Sequence, residues 1–294
     1  MSLISVIVPA HNEASVIQSG LKALTGGASP ERLEVIVVCN GCTDQTAQLA
    51  LAFAPIVQVI ETDTPSKTHA LNLGDQAARG FPRLYVDADV AMTFDDVLEV
   101  AAVLESGRAI AAAPAVETVF LDGTARSVRG YYDVWMSLPY VQKGMVAAGA
   151  YALSQKGRER FGEFPKVIAD DGYIRLLFKH GERIEAPKAI SRVLAPKTIA
   201  DLIKIKTRSR LGVLELAMRF PELHEQDHST KGHLPALLQL LAKPRLYHGL
   251  WAYFWVTAVS RIRAKQQARN LHAYVWERDH SSRIGAEPKA PAQT

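Results

Sequence analysis

The sequence predicts an α/β fold, with a mostly parallel β-sheet that carries helices on both faces and a C-terminal helical extension. Apolar, β-branched runs at residues 3–9 and 33–38 are typical of strands that are covered on both faces. Strand, loop and helix patterns then alternate without interruption over about 115 residues, as in a parallel sheet. Polar and charged side chains also cluster where the predicted strands end, which is where such sheets bind ligands.

Hydrophobic spacing divides the chain into successive elements. The predicted strands cover residues 3–9, 33–38, 56–60, 84–86, 109–116, 147–153, 183–186 and 190–194. The predicted helices cover residues 14–24, 43–53, 66–78, 95–104, 131–140, 168–178, 197–212 and 234–276. We therefore expect one domain over residues 1–215 and a helical extension over 216–279. Ser, Pro, Ala and Lys dominate residues 280–294, which predicts a disordered tail.

Composition and charge limit the class of protein. The chain has 294 residues, of which 48% are hydrophobic, a net charge of +4 and a pI of about 9.0. Two cysteines do not indicate a disulfide framework, and no motif indicates nucleic-acid binding. The first residues lack a basic segment and a cleavage site, so they predict a strand rather than a signal peptide. We expect a cytoplasmic protein.

The C-terminal third is basic and aromatic. Its longest apolar run, residues 246–260, is broken by His248 and is shorter than the ~20 residues of a membrane-spanning helix. Four aromatic residues between 251 and 255 precede four Lys or Arg residues between 261 and 269. Aromatic side chains flanked by cations are typical of a helix at a membrane surface, so we expect peripheral membrane contact. Packing against the rest of the protein is the alternative.

A pair of acids follows the predicted strand at residues 84–86. Asp87 and Asp89 are separated by Ala88, so in an extended chain both carboxylates point to the same side. Such carboxylates repel each other unless a cation lies between them, and Mg²⁺ or Mn²⁺ is commonly shared between carboxylates and substrate phosphates. The pair predicts a site for a divalent cation and a diphosphate. A solvated turn after a strand is the alternative.

Five motifs together resemble those of the family-2 glycosyltransferases, inverting enzymes of the GT-A fold that use nucleotide sugars. They are VIVPAHNE at residues 6–13, EVIVVCNGCTD at 34–44, SK at 66–67 with ALNLG at 70–74, DAD at 87–89 and ADD at 169–171. Each motif is weak alone, but their order and separation are specific. The resemblance covers residues 3–215 and implies a nucleotide-binding half over 1–116 and an acceptor half over 117–215.

The resemblance also implies roles for individual residues. Asp89 would hold the metal, with Asp87 at the metal or at the ribose and diphosphate. Asp171, beside its acidic neighbour Asp170, would be the general base that deprotonates an acceptor hydroxyl of a polysaccharide, lipid or small glycoside. The metal would stabilise charge on the leaving diphosphate. The residues expected to line the nucleotide sugar are Pro9, Ala10, His11, Glu13, Cys39, Asn40, Lys67, Asn72, Asp87 and Ala88.

Three positions depart from the family pattern. Cys39 stands where the family commonly has an Asp that binds uracil, so GDP or another nucleotide is favoured over UDP as the donor nucleotide. Asp170 is shorter than the usual Glu of the acidic pair. The Q-x-x-R-W motif of processive members is reduced to TRSRL at residues 207–211, where Arg208 or Arg210 is expected to contact the diphosphate. This reduction argues against a polymer-extruding synthase.

Three other functions stay open on the sequence alone. A nucleotidyltransferase also combines a parallel sheet, a metal and a nucleotide, but the loop at residues 10–13 lacks the Gly and the cation that hold a triphosphate. Cys39 and Cys42 form a C-x-x-C after a strand, as in redox sites, which leaves the acidic motifs unexplained. A non-catalytic nucleotide-sugar-binding protein would not need the complete set of Asp87, Asp89 and Asp171.

Overall fold

One mixed sheet of eight strands forms the centre of the computed structural model, which describes residues 2–138, 141, 149–225 and 244–271. The strands are β1 Ile4–Ala10, β2 Leu33–Asn40, β3 Val57–Thr62, β4 Arg83–Val86, β5 Val90–Ala91, β6 Ala111–Val119, β7 Ala150–Leu153 and β8 Arg183–Leu194. Their order across the sheet is β3-β2-β1-β4-β7-β6-β8-β5. Strands β3, β2, β1 and β4 pair in parallel, as do β6 and β8. Strand β7 is antiparallel to β4 and β6, and β5 is antiparallel to β8.

Helices fill most of the connections between these strands. They are α1 Ile17–Thr25, α2 Thr46–Leu51, α3 Lys67–Ala77, α4 Phe94–Glu105, α5 Arg126–Met136, α6 Gln155–Arg158, α7 Asp170–Leu177, α8 Ile199–Arg219, α9 Pro221–Glu225 and α10 Tyr247–Ala268. A 3₁₀ turn at Pro244–Leu246 precedes α10. Within the described ranges, no helix combines the length and the apolar character needed to cross a bilayer.

Side chains that alternate along β1 enter two different hydrophobic cores. Val6 and Val8 are buried on one face of the sheet, in the core that α1 and α4 cover. Ile7 is buried on the other face, with Leu71 of α3 and Tyr85 of β4. A Cβ at Gly74 would lie 2.5 Å from the Cγ2 of Ile7, so α3 packs closely against β1. Both faces of the sheet are therefore covered, which confirms the predicted α/β fold.

A third core joins the C-terminal helices to the second half of the sheet domain. Val128 of α5, Leu202 of α8 and Val256 of α10 are fully buried together. Gly130 and Gly249 let α5 and α10 approach closely, since a Cβ at Gly130 would lie 2.9 Å from the Cα of Gly249. One face of α10 thus packs against the protein, as the alternative prediction for this segment expected.

The structure differs from the predicted elements in a few places. The two short strands predicted at residues 183–186 and 190–194 are one strand, β8, which is interrupted opposite Pro114 and Ala115 by a bulge. Strand β5 escaped prediction because two residues give no periodic pattern. Parts of the helices predicted at 131–140 and 234–276, the start of the strand predicted at 147–153 and the tail predicted at 280–294 lie outside the described residues. The proposed division into a domain and an extension stays a prediction.

Candidate active site

Hydrogen bonds join the loops that follow β1 and β2 into one unit. The side-chain amide of Asn40 donates to the carbonyl of Ala10 at 2.8 Å. The Nδ1 of His11 lies 2.5 Å from the carbonyl oxygen of Asn40, which fixes the plane of the imidazole. Asn12 has a positive φ of 53°, and its Oδ1 accepts from the N–H of Thr43 at 2.7 Å. The carboxyl ends of these two strands therefore present a preformed loop pair at one edge of the sheet.

Glu13 and Asp44 tighten this loop pair. The N–H of Glu13, a residue that is only 5% exposed, donates to Oγ1 of Thr46 at 2.8 Å. Asp44 accepts from the backbone N–H groups of Ala14 at 3.1 Å and Thr46 at 3.0 Å. Burial alone would raise the pKa of Asp44, but the hydrogen bonds from Thr46 and Ala14 hold it below its usual value. Glu13 is thus a buried part of this loop pair, and its backbone is held by Thr46.

The side chain of Lys67 joins two carboxylates from distant parts of the chain. Its Nζ lies 2.6 Å from Oδ1 of Asp87 and 2.9 Å from Oδ1 of Asp170. Lys67 begins α3, Asp87 follows β4 and Asp170 begins α7. The Asp170 side chain is 3% exposed, whereas those of Lys67 and Asp87 are 25% and 33% exposed. The two ion pairs therefore join a buried carboxylate to two partly exposed side chains, and we call this partly open position the cleft.

Tyr151 provides a further partner for the buried carboxylate of Asp170. Its hydroxyl donates to Oδ2 of Asp170 at 3.2 Å, so both oxygens of this carboxylate have a partner. The Tyr151 ring stacks on Tyr85 with 5.0 Å between ring centroids. A buried charge is tolerated only where it is paired and hydrogen-bonded, and Lys67 and Tyr151 satisfy that condition.

The clustered charges change the titration of the site. Burial raises the pKa of Asp87 to about 6 against the attraction of Lys67, and the negative charges of Asp170 and Asp89 raise it too. Burial, followed by the charge of Asp170, raises the pKa of Asp171 to about 6. Burial alone would lower the pKa of Lys67, but Asp170, Asp87 and Asp171 together raise it above its usual value. Because these groups shift one another's pKa values, the predicted acids from both halves of the chain lie close together in one site.

Gly149 supports the Asp87 side of the cleft. Its carbonyl accepts from the N–H of Asp87 at 2.8 Å, and its φ is +75°. A Cβ at this position would lie 2.8 Å from Cγ2 of Val90 and 3.2 Å from Oδ2 of Asp87. Only glycine therefore fits between β7 and the acidic turn without moving the Asp87 carboxylate.

The donor set at the acidic turn fits a hard divalent cation that is shared with a substrate. Asp89 is exposed at the mouth, and its charge acts on Asp87, which lies deeper. Among the residues that the structure describes, no three His, Cys, Asp or Glu side chains converge on one metal position. Mg²⁺ and Mn²⁺ suit such a site because one or two carboxylates bind them while phosphate oxygens and water complete the shell. Asp89 and Asp87 are the residues that would hold the ion.

The thiol of Cys39 lies in the hydrophobic core beneath the end of β2. The residue is 1% exposed and belongs to the hydrophobic core between the sheet and α1. Burial, together with Cys42, raises its pKa to about 12, so the reactive thiolate is disfavoured. The Cys39 side chain thus lies in this core, and its expected contact with the nucleotide stays a prediction. Because Cys39 is buried and its thiolate is disfavoured, the structure does not support redox chemistry at the Cys39 and Cys42 pair.

The side chain of Asn72 binds the backbone of Phe164, and its expected contact with the nucleotide stays a prediction. Its side-chain amide donates to the carbonyl of Phe164 at 3.1 Å, and its Oδ1 accepts from the N–H of Phe164 at 2.7 Å. Both ends of the amide thus bind one backbone position. We therefore assign Asn72 to the connection between α3 and the segment that leads to α7.

Arg208 and Arg210 occupy different faces of α8. Gly212 packs on the turn before α7, since a Cβ there would lie 2.6 Å from the Cβ of Ala169. Arg208 precedes Gly212 by four residues and therefore shares its face of the helix. Arg210 acts on the titration of Lys206 and Tyr253, which places it beside α10. Of the two, the position of Arg208 is the one that supports a contact near the acidic site.

Sequence reasoning missed two residues that shape the site. Tyr151 appeared only as part of an apolar strand, and a single Tyr there carries no signal for a carboxylate partner. Gly149 lies within the same predicted strand, but the need for glycine there follows only from the close approach of Asp87 and Val90 in the folded chain. Pro9, Ala10, His11 and Ala88 lie at the predicted edge of the sheet, as expected from the strand ends.

Comparison with known proteins gives a family model and partial relatives. Residues 5–150 match the model described as glycosyl transferase family 2. The probable glycosyltransferase YdaM of Bacillus subtilis is 35% identical over 94 residues, which are 29% of this chain and 22% of that protein. The dolichyl-phosphate beta-glucosyltransferase of Drosophila melanogaster is 37% identical over 113 residues, 33% of this chain and 35% of that protein. The chain thus spans about a fifth to a third of the length of these relatives.

A solved structure resembles the whole described fold. The mannosyltransferase PcManGT from Pyrobaculum calidifontis, in complex with GDP-Man and Mn²⁺, superposes with a TM-score of 0.65. The match covers 92% of this chain and 87% of that one, at 22% sequence identity. At this identity the likeness shows the fold, which agrees with the predicted GT-A architecture.

Proposed function

Because the chain belongs to glycosyl transferase family 2, we propose that it is an inverting glycosyltransferase that moves a sugar from a nucleotide diphosphate donor to an acceptor hydroxyl. The observation that carries this proposal is the Lys67 ammonium between Asp87 and Asp170, with Asp171 next in the chain. One acid group comes from the end of β4 and the other from the start of α7, so donor and acceptor would meet between them. The family match also leaves a nucleotidyltransferase without support.

Asp171 is the group we assign as the general base. Its pKa of about 6 lies close to physiological pH, where a base is both ionised and able to hold a proton. The acceptor oxygen would attack the anomeric carbon from the face opposite the diphosphate while its proton passes to Asp171. The bond between the anomeric carbon and the diphosphate oxygen breaks in the same step, so the configuration inverts.

Lys67 and Asp170 would position this base rather than react. The Lys67 ammonium holds Asp170 at 2.9 Å, and Tyr151 binds the second oxygen of Asp170. The N–H of Gly172 donates to Oδ1 of Asp171 at 2.7 Å, which leaves Oδ2 as the oxygen for proton transfer. These contacts fix the backbone at the start of α7, from which the Asp171 side chain extends.

A divalent cation, held by Asp89 and Asp87, would supply positive charge that stabilises the leaving diphosphate. The nucleoside would lie over the loop pair after β1 and β2, where Pro9 to Glu13 and Asn40 form the rigid edge. Because the Cys39 thiol is buried, it gives no reason to prefer GDP over UDP. We leave Cys39 and Asn72 out of the donor site and keep Lys67, Asp87 and Ala88 in it.

The acceptor is proposed to enter from the half of the domain over residues 117–215. A cavity of about 400 Å³ opens there between β6, α5 and the bulge of β8. Its lining combines aromatic rings with carboxylates, a mixture that suits sugar hydroxyls: Phe120, Tyr132, Met136, Glu117 and Asp133. We place the enzyme in the cytoplasm.

The test is a panel of UDP- and GDP-sugars, assayed for thermal stabilisation with and without Mn²⁺ and for slow release of the nucleoside diphosphate. We expect at least one donor to stabilise the protein only with Mn²⁺ and to be hydrolysed. Asp171→Asn should keep the stabilisation and lose most of the hydrolysis, whereas Asp122→Asn, at an exposed turn, should change neither. If no nucleotide sugar binds under any condition, the proposed function is wrong.

A further inference from the structure

The outer face of α10 carries most of the exposed large hydrophobic side chains of the described chain. Tyr247, Trp251, Phe254, Trp255 and Ile262 are each between 51% and 64% exposed. Three others occur elsewhere, and two of these lie on α8, the helix against which α10 packs. Isolated exposed hydrophobic side chains are normal, but a concentration on one helix indicates a surface that is covered in use.

The spacing of these side chains makes one continuous face. Tyr247, Trp251 and Trp255 follow one another at four-residue intervals and so lie above one another along the helix. The rings of Trp251 and Trp255 stack with 6.2 Å between centroids and an angle of 2°. The opposite face is buried by Val256 and Ala252 against α5 and α8. The exposed rings are therefore held by a helix that is anchored to the protein on its other side.

Cations continue the same face toward the end of the helix. Arg261, Lys265 and Arg269 follow at four-residue intervals and are exposed. No Asp or Glu occurs from residue 244 to 271, so no acid on this helix neutralises them. Aromatic rings that are followed by cations, with no acid on the same helix, match the chemistry of a membrane surface, where rings enter the interface and cations meet anionic head groups.

We propose that the outer face of α10, formed by Trp251, Phe254, Trp255, Ile262 and the cations Arg261, Lys265 and Arg269, docks on an anionic lipid surface. A second protein copy or a segment of this chain is a less suitable occupant, because a row of cations with no acid on the same helix would repel the same row on its own copy. This proposal does not rest on the proposed sugar transfer, because lipid binding can be tested in the absence of any sugar donor.

Vesicle co-sedimentation of the full chain tests this proposal. The protein should sediment with vesicles that contain phosphatidylglycerol and stay in solution with vesicles of phosphatidylcholine alone. Trp251→Ala/Trp255→Ala should lower the partition about tenfold or more through the lost apolar area. Arg261→Gln/Lys265→Gln/Arg269→Gln should lower it about a hundredfold, since each cation near an anionic surface contributes about 1 kcal/mol.

Matched controls separate this surface from general stickiness. Leu51→Ala removes an exposed hydrophobic side chain on α2, and Lys156→Gln removes an exposed cation on α6; both should bind vesicles like the wild type. Binding should also shift the tryptophan emission of the wild type to shorter wavelength. Equal binding by all variants would overturn the proposal, as would equal binding to both vesicle types. Self-association that the tryptophan variant abolishes, without vesicle binding, would instead identify a second copy as the occupant.

Discussion

The Nζ of Lys67 and Oδ1 of Asp87 lie 2.6 Å apart, so the first acid of the D-x-D sequence is paired with a cation of the protein itself. A divalent ion is then not needed to hold Asp87 in place before the donor arrives. Asp89 is the more exposed of the two acids, and we expect it to recruit the ion. The two carboxylates therefore have separate expected roles.

Asp89→Asn should remove the effect of the metal on donor binding. An amide oxygen is a weaker ligand for Mg²⁺ or Mn²⁺ than a carboxylate, and Asp89 has the exposed position at the mouth. In calorimetric titrations, donor affinity with Mn²⁺ should fall to the value that the wild type shows without metal. Asp95→Asn, at an exposed acid in the first turn of α4, is the control. An unchanged affinity with Mn²⁺ would exclude Asp89 as a ligand.

The pH dependence of transfer should follow Asp171. Its pKa is raised to about 6, so kcat/KM should rise about tenfold per pH unit below 6 and level off above it. Asp171→Asn should lack this limb of the profile. A profile that keeps its rise in the variant would assign the titration to another group.

The same pKa predicts the sign of a stability effect. Because the folded pKa of about 6 exceeds the usual 3.8, the folded state binds more protons between these values, and stability falls as pH rises through this window. Asp171→Asn should therefore be more stable than the wild type at pH 7, on the order of 1 kcal/mol. The difference should disappear in urea unfolding below a pH of about 4, where the carboxyl is protonated in both states.

Lys67→Met should destabilise the protein because it leaves Asp170 buried without its cation. Breaking a buried ion pair costs about 3–5 kcal/mol, and the partial exposure of Lys67 and Asp87 lowers this to about 2 kcal/mol. Lys67 holds the pKa of Asp87 down, so in the variant Asp87 should be neutral over a wider range. The loss in unfolding free energy should be smaller at pH 5 than at pH 7. Lys67→Arg keeps the charge and should retain most of the stability; equal losses at both pH values would contradict the ion-pair explanation.

Comparing Gly149→Ala with Gly123→Ala separates the destabilisation due to a positive φ from that due to steric contact of the new methyl group. Both glycines have positive φ, +75° and +80°, but nothing lies within 4 Å of a Cβ at Gly123. Gly123→Ala should cost about 1 kcal/mol of strain. Gly149→Ala should cost about 2 kcal/mol more, since its methyl would meet Val90 and press on Asp87. Only Gly149→Ala should also weaken donor binding, and equal effects of the two variants would show that the contact is unimportant.

Asn72→Ala should lower stability and leave donor affinity unchanged. The variant leaves the N–H and carbonyl of Phe164 without their side-chain partner, which costs about 2 kcal/mol. Asn270→Ala, at an exposed position, should not change stability. If donor affinity fell about tenfold with unchanged stability, Asn72 would bind the nucleotide after all.

The local sequence pattern was sufficient to predict features that depend on a single strand and the residues that follow it. Buried runs and strand-end acids placed β1, β2, β4, Asp87 and Asp89 correctly, because the period of a strand and the topology of a parallel sheet follow from sequence alone. The side on which Cys39 lies did not follow, since β2 is buried along its whole length and has no exposed face to mark its orientation. Phe164 is 92 residues from Asn72, and Tyr151 is 19 residues from Asp170, so no local pattern predicts these contacts.

The double hydrogen bond between Asn72 and Phe164 has a consequence for protein engineering. Lys67 and Asn72 share α3, while Phe164 and Asp170 share the segment that enters α7, so one clamp and one ion pair fasten the same two segments. A chimera that exchanges everything after residue 117 with a relative would replace one side of both fastenings at once. The halves are thus not interchangeable modules, and grafting a new acceptor specificity requires a host backbone that can accept Asn72 at position 164.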